Sequence, residues 1–145
     1  MGAPLVGNAF TVAFDTRAIT AEHPITMSGP EIMDRMVKKG LIAFQLSWER
    51  VFVAQLAVED DIVFLCDALD DLPGLVAGQY PHFVHIGDGE LEVTSTLVQD
   101  EVRMNVLHTP HLDRRFLHQY TFTALLKDYV SAWRSLVHQL EIHAT

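Results

Sequence analysis

The sequence holds one cysteine, Cys66, so no internal disulfide can form, and a thiolate zinc site needs more ligands than one thiol supplies. Cys66 reads as a small apolar core residue, with no base beside it in sequence to activate it as a nucleophile. Long apolar runs are also missing. No stretch reaches the roughly 18–20 apolar residues of a membrane span. Met1 to Asp15 has neither the basic segment nor the apolar run of a secretory signal. Met1-Gly2 opens a myristoylation pattern, but Val6 stands where Ser or Thr is required. The expected compartment is the cytoplasm, with no membrane partner. Phosphate loops are lacking too: Gly87-Asp88-Gly89 is a tight turn without the flanking glycines and lysine that cradle phosphates.

The most unusual scarcity is of positive charge. Between Arg50 and Arg103 there is no Lys or Arg, while the same stretch carries Glu59, Asp60, Asp61, Asp67, Asp70, Asp71, Asp88, Glu90, Glu92, Asp100 and Glu101. The net charge of −9 is therefore concentrated in the middle third. Such a region repels nucleic acid, whose binding rests on Lys and Arg contacts to phosphate, and it speeds encounter with a basic protein. The same residues also read as an ordinary solvated face. No calcium-loop spacing is present.

What is present is ordinary globular composition. Apolar residues make up 49% and charged residues 20% of 145, enough for one domain spanning 1–145 to fold without metal or disulfide. Phe10, Val12 and Phe14 alternate as a short strand. The pair Ser28 and Glu31 around Pro30 makes a capping pattern that opens a helix over about 29–39, stopped by Gly40. Ile42 to Trp48 alternates, and Val51 to Val58 is β-favourable. Glu49-Arg50 is not a favoured hairpin turn, so the two runs also read as one long bent strand. Ile62, Leu65, Cys66, Leu69 and Leu72 fall at helical spacing behind an acidic start at Asp60-Asp61. His82–Ile86, Leu91–Leu97, Val102–Val106 and Phe116–Phe122 read as strands. From Leu125 onward a broad apolar face through Tyr129, Trp133, Leu136 and Leu140 marks a long amphipathic helix. The expectation is α+β, with an antiparallel sheet of about five to six strands and helices on one face.

Among eight histidines, His108, His111 and His118 come nearest to a ligand set, flanking a Pro loop and the following strand, but no metal motif supports them. His82 and His85 point to opposite faces of one strand. Asp67, Asp70 and Asp71 lie on a helix surface where a shifted acid–base pair is not expected. Trp48 and Trp133 read as core. No catalytic residue, cofactor or metal is assigned.

The run from Phe52 to Val58, the acidic helix, the meander His82–Phe122 and the C-terminal helix together resemble small bacterial immunity proteins of polymorphic and contact-dependent toxin systems, the WapI-type group. The resemblance covers residues about 52–143 and rests on architecture and charge pattern. It implies a binding protein that neutralises a cognate toxin, and it transfers no functional residue. The expected function is thus a protein–protein interaction module, not an enzyme. Asp60, Asp61, Asp67, Asp70, Asp71, Glu90 and Glu92 are the expected contacts to a basic partner. Two alternatives stay open: a small metal-dependent hydrolase using His108, His111 and His118, and a structural homo-oligomer using an exposed apolar strand edge.

Overall fold

Alternating apolar residues build the first sheet. The computed structural model describes residues 9–18 and 24–145. Phe10, Val12 and Phe14 form the buried side of β1 (Ala9–Phe14); Phe44, Leu46 and Trp48 form that of β2 (Ala43–Trp48). The two strands pair in parallel, and the connection between them carries α1 (Gly29–Lys38). Ser28 caps α1 through the Glu31 N–H, with Pro30 in the first turn, and Ile32 and Met36 face the core. β3 (Phe52–Ala57) returns antiparallel to β2, with Phe52 opposite Trp48.

The Val51–Val58 run therefore holds a separate strand and does not continue β2. Glu49 and Arg50 make the turn, both left-handed at φ 51° and 61°, closed by the Val51 N–H on the Trp48 carbonyl at 2.9 Å. Neither residue favours this backbone. The compensation comes from the segment after β1. The Glu49 carboxylate accepts the Thr16 N–H and hydroxyl, each at 2.6 Å, and its own N–H donates to the Phe14 carbonyl at 2.8 Å. Arg17 donates to the Glu49 carbonyl, and Arg50 pairs with Asp15.

α2 (Val58–Asp70) starts directly after β3, two residues before the acidic pair expected to open it. Its buried side is Ile62, Leu65 and Cys66. A Cβ on Gly29 would lie 2.9 Å from the Cys66 Cβ, so α1 and α2 cross closely where both residues are small. After the short α3 (Leu72–Val76), a meander of β4 (His82–Ile86), β5 (Leu91–Val98), β6 (Glu101–His108) and β7 (His118–Leu125) pairs antiparallel in that order. Phe116 lies in a 3-10 turn before β7 and not within the strand.

The two sheets share one core because α4 (Leu126–Ala144) packs on both. The Trp133 ring lies 5.4 Å from Phe14 of the first sheet and 5.4 Å from His82 of the second. The fold is α+β, mostly antiparallel, with a long C-terminal helix. Among the described residues, seven strands stand in a three-stranded sheet, β1-β2-β3, and a four-stranded sheet, β4-β5-β6-β7, in place of the single sheet expected. Among the described residues no helix is long and apolar enough to cross a membrane.

Candidate binding surface

Helical periodicity sets the outer face of α2. Asp60, Phe64, Asp67 and the capping residue Asp71 follow at i, i+4, i+7 and i+11, so they share one stripe. All four are exposed, and Phe64, 59% exposed, sits between the carboxylates. Six of the ten basic side chains are engaged elsewhere. Arg17 and Arg50 meet Asp15, Arg35 meets Glu31, Lys38 meets Asp34, and Arg115 meets Asp113. Lys39 donates to the carbonyls of His143 and Thr145. None of these pairs includes Asp60, Asp67 or Asp71. Phe64 lies off the apolar face of α2, so the periodicity that marks core residues does not mark it. Its signal was that placement: a large aromatic at acidic spacing.

Two of the expected contact residues are internal. Asp61 is buried, and its carboxylate accepts the Ala57 N–H at 3.0 Å and the Gly87 N–H at 2.8 Å. It thereby ties the start of α2 to the turn Gly87–Gly89. Burial pushes the Asp61 carboxyl up; those two N–H groups pull it back, and neighbouring Asp60 and Asp88 push it up again, leaving it above its ordinary value. Gly87 holds φ +64°, and a Cβ there would press to 2.9 Å from the Leu56 side chain. Glu90 is buried as well, and its carboxylate accepts the Gln55 N–H at 2.9 Å on the open edge of β3. Asp61 and Glu90 are thus withdrawn from the contact set, since their carboxylates are spent on backbone N–H groups inside the fold. Around them Asp60, Asp88, Gln55 and His111 line a concavity of about 350 Å³.

Asp70 lies beside the stripe, on the rim of an apolar groove of about 810 Å³ that it shares with Leu69, Val76, Val130 and Arg134. Glu92 is half-exposed on β5, 3.6 Å from the cross-strand His85.

The histidines gather at another corner. His108 and His118 are cross-strand partners on β6 and β7, and His111 is in the loop between them. His108 is buried, stacked on Phe52 at 4.3 Å, with its Nε2 3.5 Å from Glu90. Burial pushes the His108 imidazole below its ordinary value; Glu90 opposes this, and His118 and His111 add to it. Among the described residues no three His, Cys, Asp or Glu side chains are placed to hold a metal ion. Cys66 is buried, and burial, with Asp67, Asp70 and Glu141 adding to it, pushes its thiol up to about 12, which keeps it a neutral packing group.

No protein-family model, curated protein or solved structure matches this chain.

Proposed function

We propose that this chain is a protein-binding module that docks a basic partner on the outer face of α2, in the manner of an immunity protein that neutralises a toxin. The observation that carries the reading is the stripe Asp60, Phe64, Asp67 and Asp71: three carboxylates in no ion pair among the described residues, around an exposed aromatic ring. Carboxylates of one sign on a solvent face accelerate encounter with a basic surface, and a central aromatic that becomes buried supplies most of the lasting affinity. Asp70 flanks the stripe, and Glu92, on β5 opposite His85, completes the proposed contact set from the neighbouring sheet. A nucleic acid, with its own negative backbone, is disfavoured at the same face.

The test looks for a toxin-bearing reading frame beside this chain's gene and uses its toxin domain as the probe. Stopped-flow association should slow as salt rises, because screening weakens steering. Asp67→Asn and Asp71→Asn should slow association at low salt and matter little at high salt. Phe64→Ala should act on dissociation, weakening binding about 30-fold if it is a hot spot of about 2 kcal/mol. Binding that ignores both salt and these substitutions, or a gene neighbourhood with no toxin, overturns the proposal.

A further inference from the structure

Among the described residues, side chains bond to the outer edges of β1 and β3, and α2 packs beside β4. On β1, the Gln139 amide pairs with Ala13 like a peptide group: the Ala13 N–H donates to Gln139 Oε1 and Gln139 Nε2 donates to the Ala13 carbonyl, both at 2.9 Å. On β3, Glu90 takes the Gln55 N–H. β4 lies against α2, with His82 Nε2 on the Ala68 carbonyl at 2.6 Å. The fourth edge is β7. It pairs with β6 along all eight residues, and nothing among the described residues bonds to its other side.

The ladder tells which groups that side offers. The Leu126 N–H donates to the Asp100 carbonyl at 2.8 Å, in line with the β6–β7 register. Hydrogen-bonded pairs alternate along an antiparallel ladder, so His118, Tyr120, Phe122 and Ala124 bond to β6. Gln119, Thr121, Thr123 and Leu125 turn their N–H and carbonyl groups to the open edge. Monomeric proteins blunt such an edge with charge, proline or a bulge. The β7 sequence HQYTFTAL has no Lys, Arg, Asp, Glu, Pro or Gly. On its inner side Tyr120 and Phe122 are only half covered, with ring centroids 6.1 Å apart.

We propose that β7 pairs antiparallel with β7 of a second copy of this chain, about a two-fold axis at Thr121, joining two four-stranded sheets into one of eight. Strand pairing about a two-fold is self-complementary: each copy offers the same donors and acceptors in reverse order. In this register Thr121 meets Thr121, Gln119 meets Thr123, and Tyr120 comes opposite Phe122 in a close pair, where aromatic side chains gain most. Charge favours the same arrangement. Arg114 and Arg115, with Asp113, precede the strand, while Asp100, Glu101 and Asp128, with Lys127 and Arg103, surround its far end. Antiparallel pairing sets the net-positive end of one copy beside the net-negative end of the other. Elsewhere the excess negative charge holds copies apart, which confines contact to this neutral strand.

Sedimentation of the full chain tests this. The wild-type protein should approach twice its 16.3 kDa mass at sub-millimolar concentration. Thr121 is exposed, so Thr121→Lys and Thr121→Glu should each leave the circular dichroism unchanged. Each places like charges face to face on the axis and should raise the dimer dissociation constant at least tenfold. An equimolar mixture of the two variants should dimerise again. A wild-type monomer, a Lys variant that dimerises like wild type, or a mixture that stays monomeric each overturns the proposal.

Discussion

At the scale of single residues, Glu49 and Arg50 share a strained backbone but differ in what holds them. A left-handed conformation costs a non-glycine residue roughly 1–2 kcal/mol. The buried Glu49 carboxylate accepts two bonds from Thr16, and a hydrogen bond to a charged group contributes roughly 1.5–3 kcal/mol. The bonds outweigh the strain, so Glu49→Gly should lower the urea midpoint despite its freer backbone. The Arg50 guanidinium is 66% exposed in its pair with Asp15, and an exposed pair contributes about 0–1 kcal/mol. Relief of strain matches or exceeds that loss, so Arg50→Gly should leave the midpoint equal or higher. Equal midpoints for Glu49→Gly and the parent would show that the Thr16 clamp does no more than offset the backbone strain. Asp61 teaches the same lesson. In sequence it is one aspartate of an exposed-looking pair, yet its neighbour Asp60 faces solvent while Asp61 holds two backbone N–H groups.

At the scale of elements, strands and helices followed from periodicity with small shifts at their ends. α2 begins at Val58, because the chain leaves β3 without a linker, and β7 begins at His118, because Arg114–Phe116 coils into a 3-10 turn. What each element does at its margin was not legible. Gln139 sits mid-helix and reads as an ordinary polar residue, yet it covers the edge of β1 from 126 residues away in sequence. Replacing it with Leu leaves the Ala13 N–H and carbonyl without that partner, at a cost of about 1–3 kcal/mol if water does not reach them. A change of 1 kcal/mol moves the thermal midpoint of a chain of this size by roughly 2–4 °C. Gln139→Leu should therefore lower the midpoint by at least that much and raise light scattering on heating, as β1 becomes an open edge. An unchanged midpoint would mean that the amide is replaceable by solvent.

For the whole molecule, pH dependence follows from which groups are held in one charge state. Burial lowers His82, with the Ala68 carbonyl and Asp71 opposing it; burial also lowers His108 and His143. A histidine depressed in the folded chain gives stability that is complete above its unfolded value of 6.5 and is lost as pH falls through the folded value. His82 is the clearest case. Its Nε2–H donates to the Ala68 carbonyl and its Nδ1 lies 2.7 Å from the Tyr129 hydroxyl, which donates to Ser95 Oγ at 2.8 Å, while burial of the ring disfavours its charged form. A second loss should begin below about pH 4–4.5. Burial pushes Asp15 and Glu141 up, but backbone N–H groups outweigh it, joined by Arg50 and Arg17 at Asp15 and by Thr26 and His138 at Glu141, so both sit below their ordinary values. The urea midpoint should hold between pH 8 and 7 and decline between 6.5 and 5; a flat profile to pH 5 would contradict the buried neutral His82. By itself the sequence determined the α+β class, the long C-terminal helix, the meander and the concentration of negative charge, because periodicity and composition are local properties that the chain carries into any fold. Only the tertiary structure decided that β1 pairs in parallel, that the strands form two sheets joined by Trp133, that Asp61 and Glu90 turn inward, and that no described residue bonds to the outer edge of β7. Those outcomes depend on contacts between residues far apart in sequence, and which polar groups meet across such distances is settled by packing.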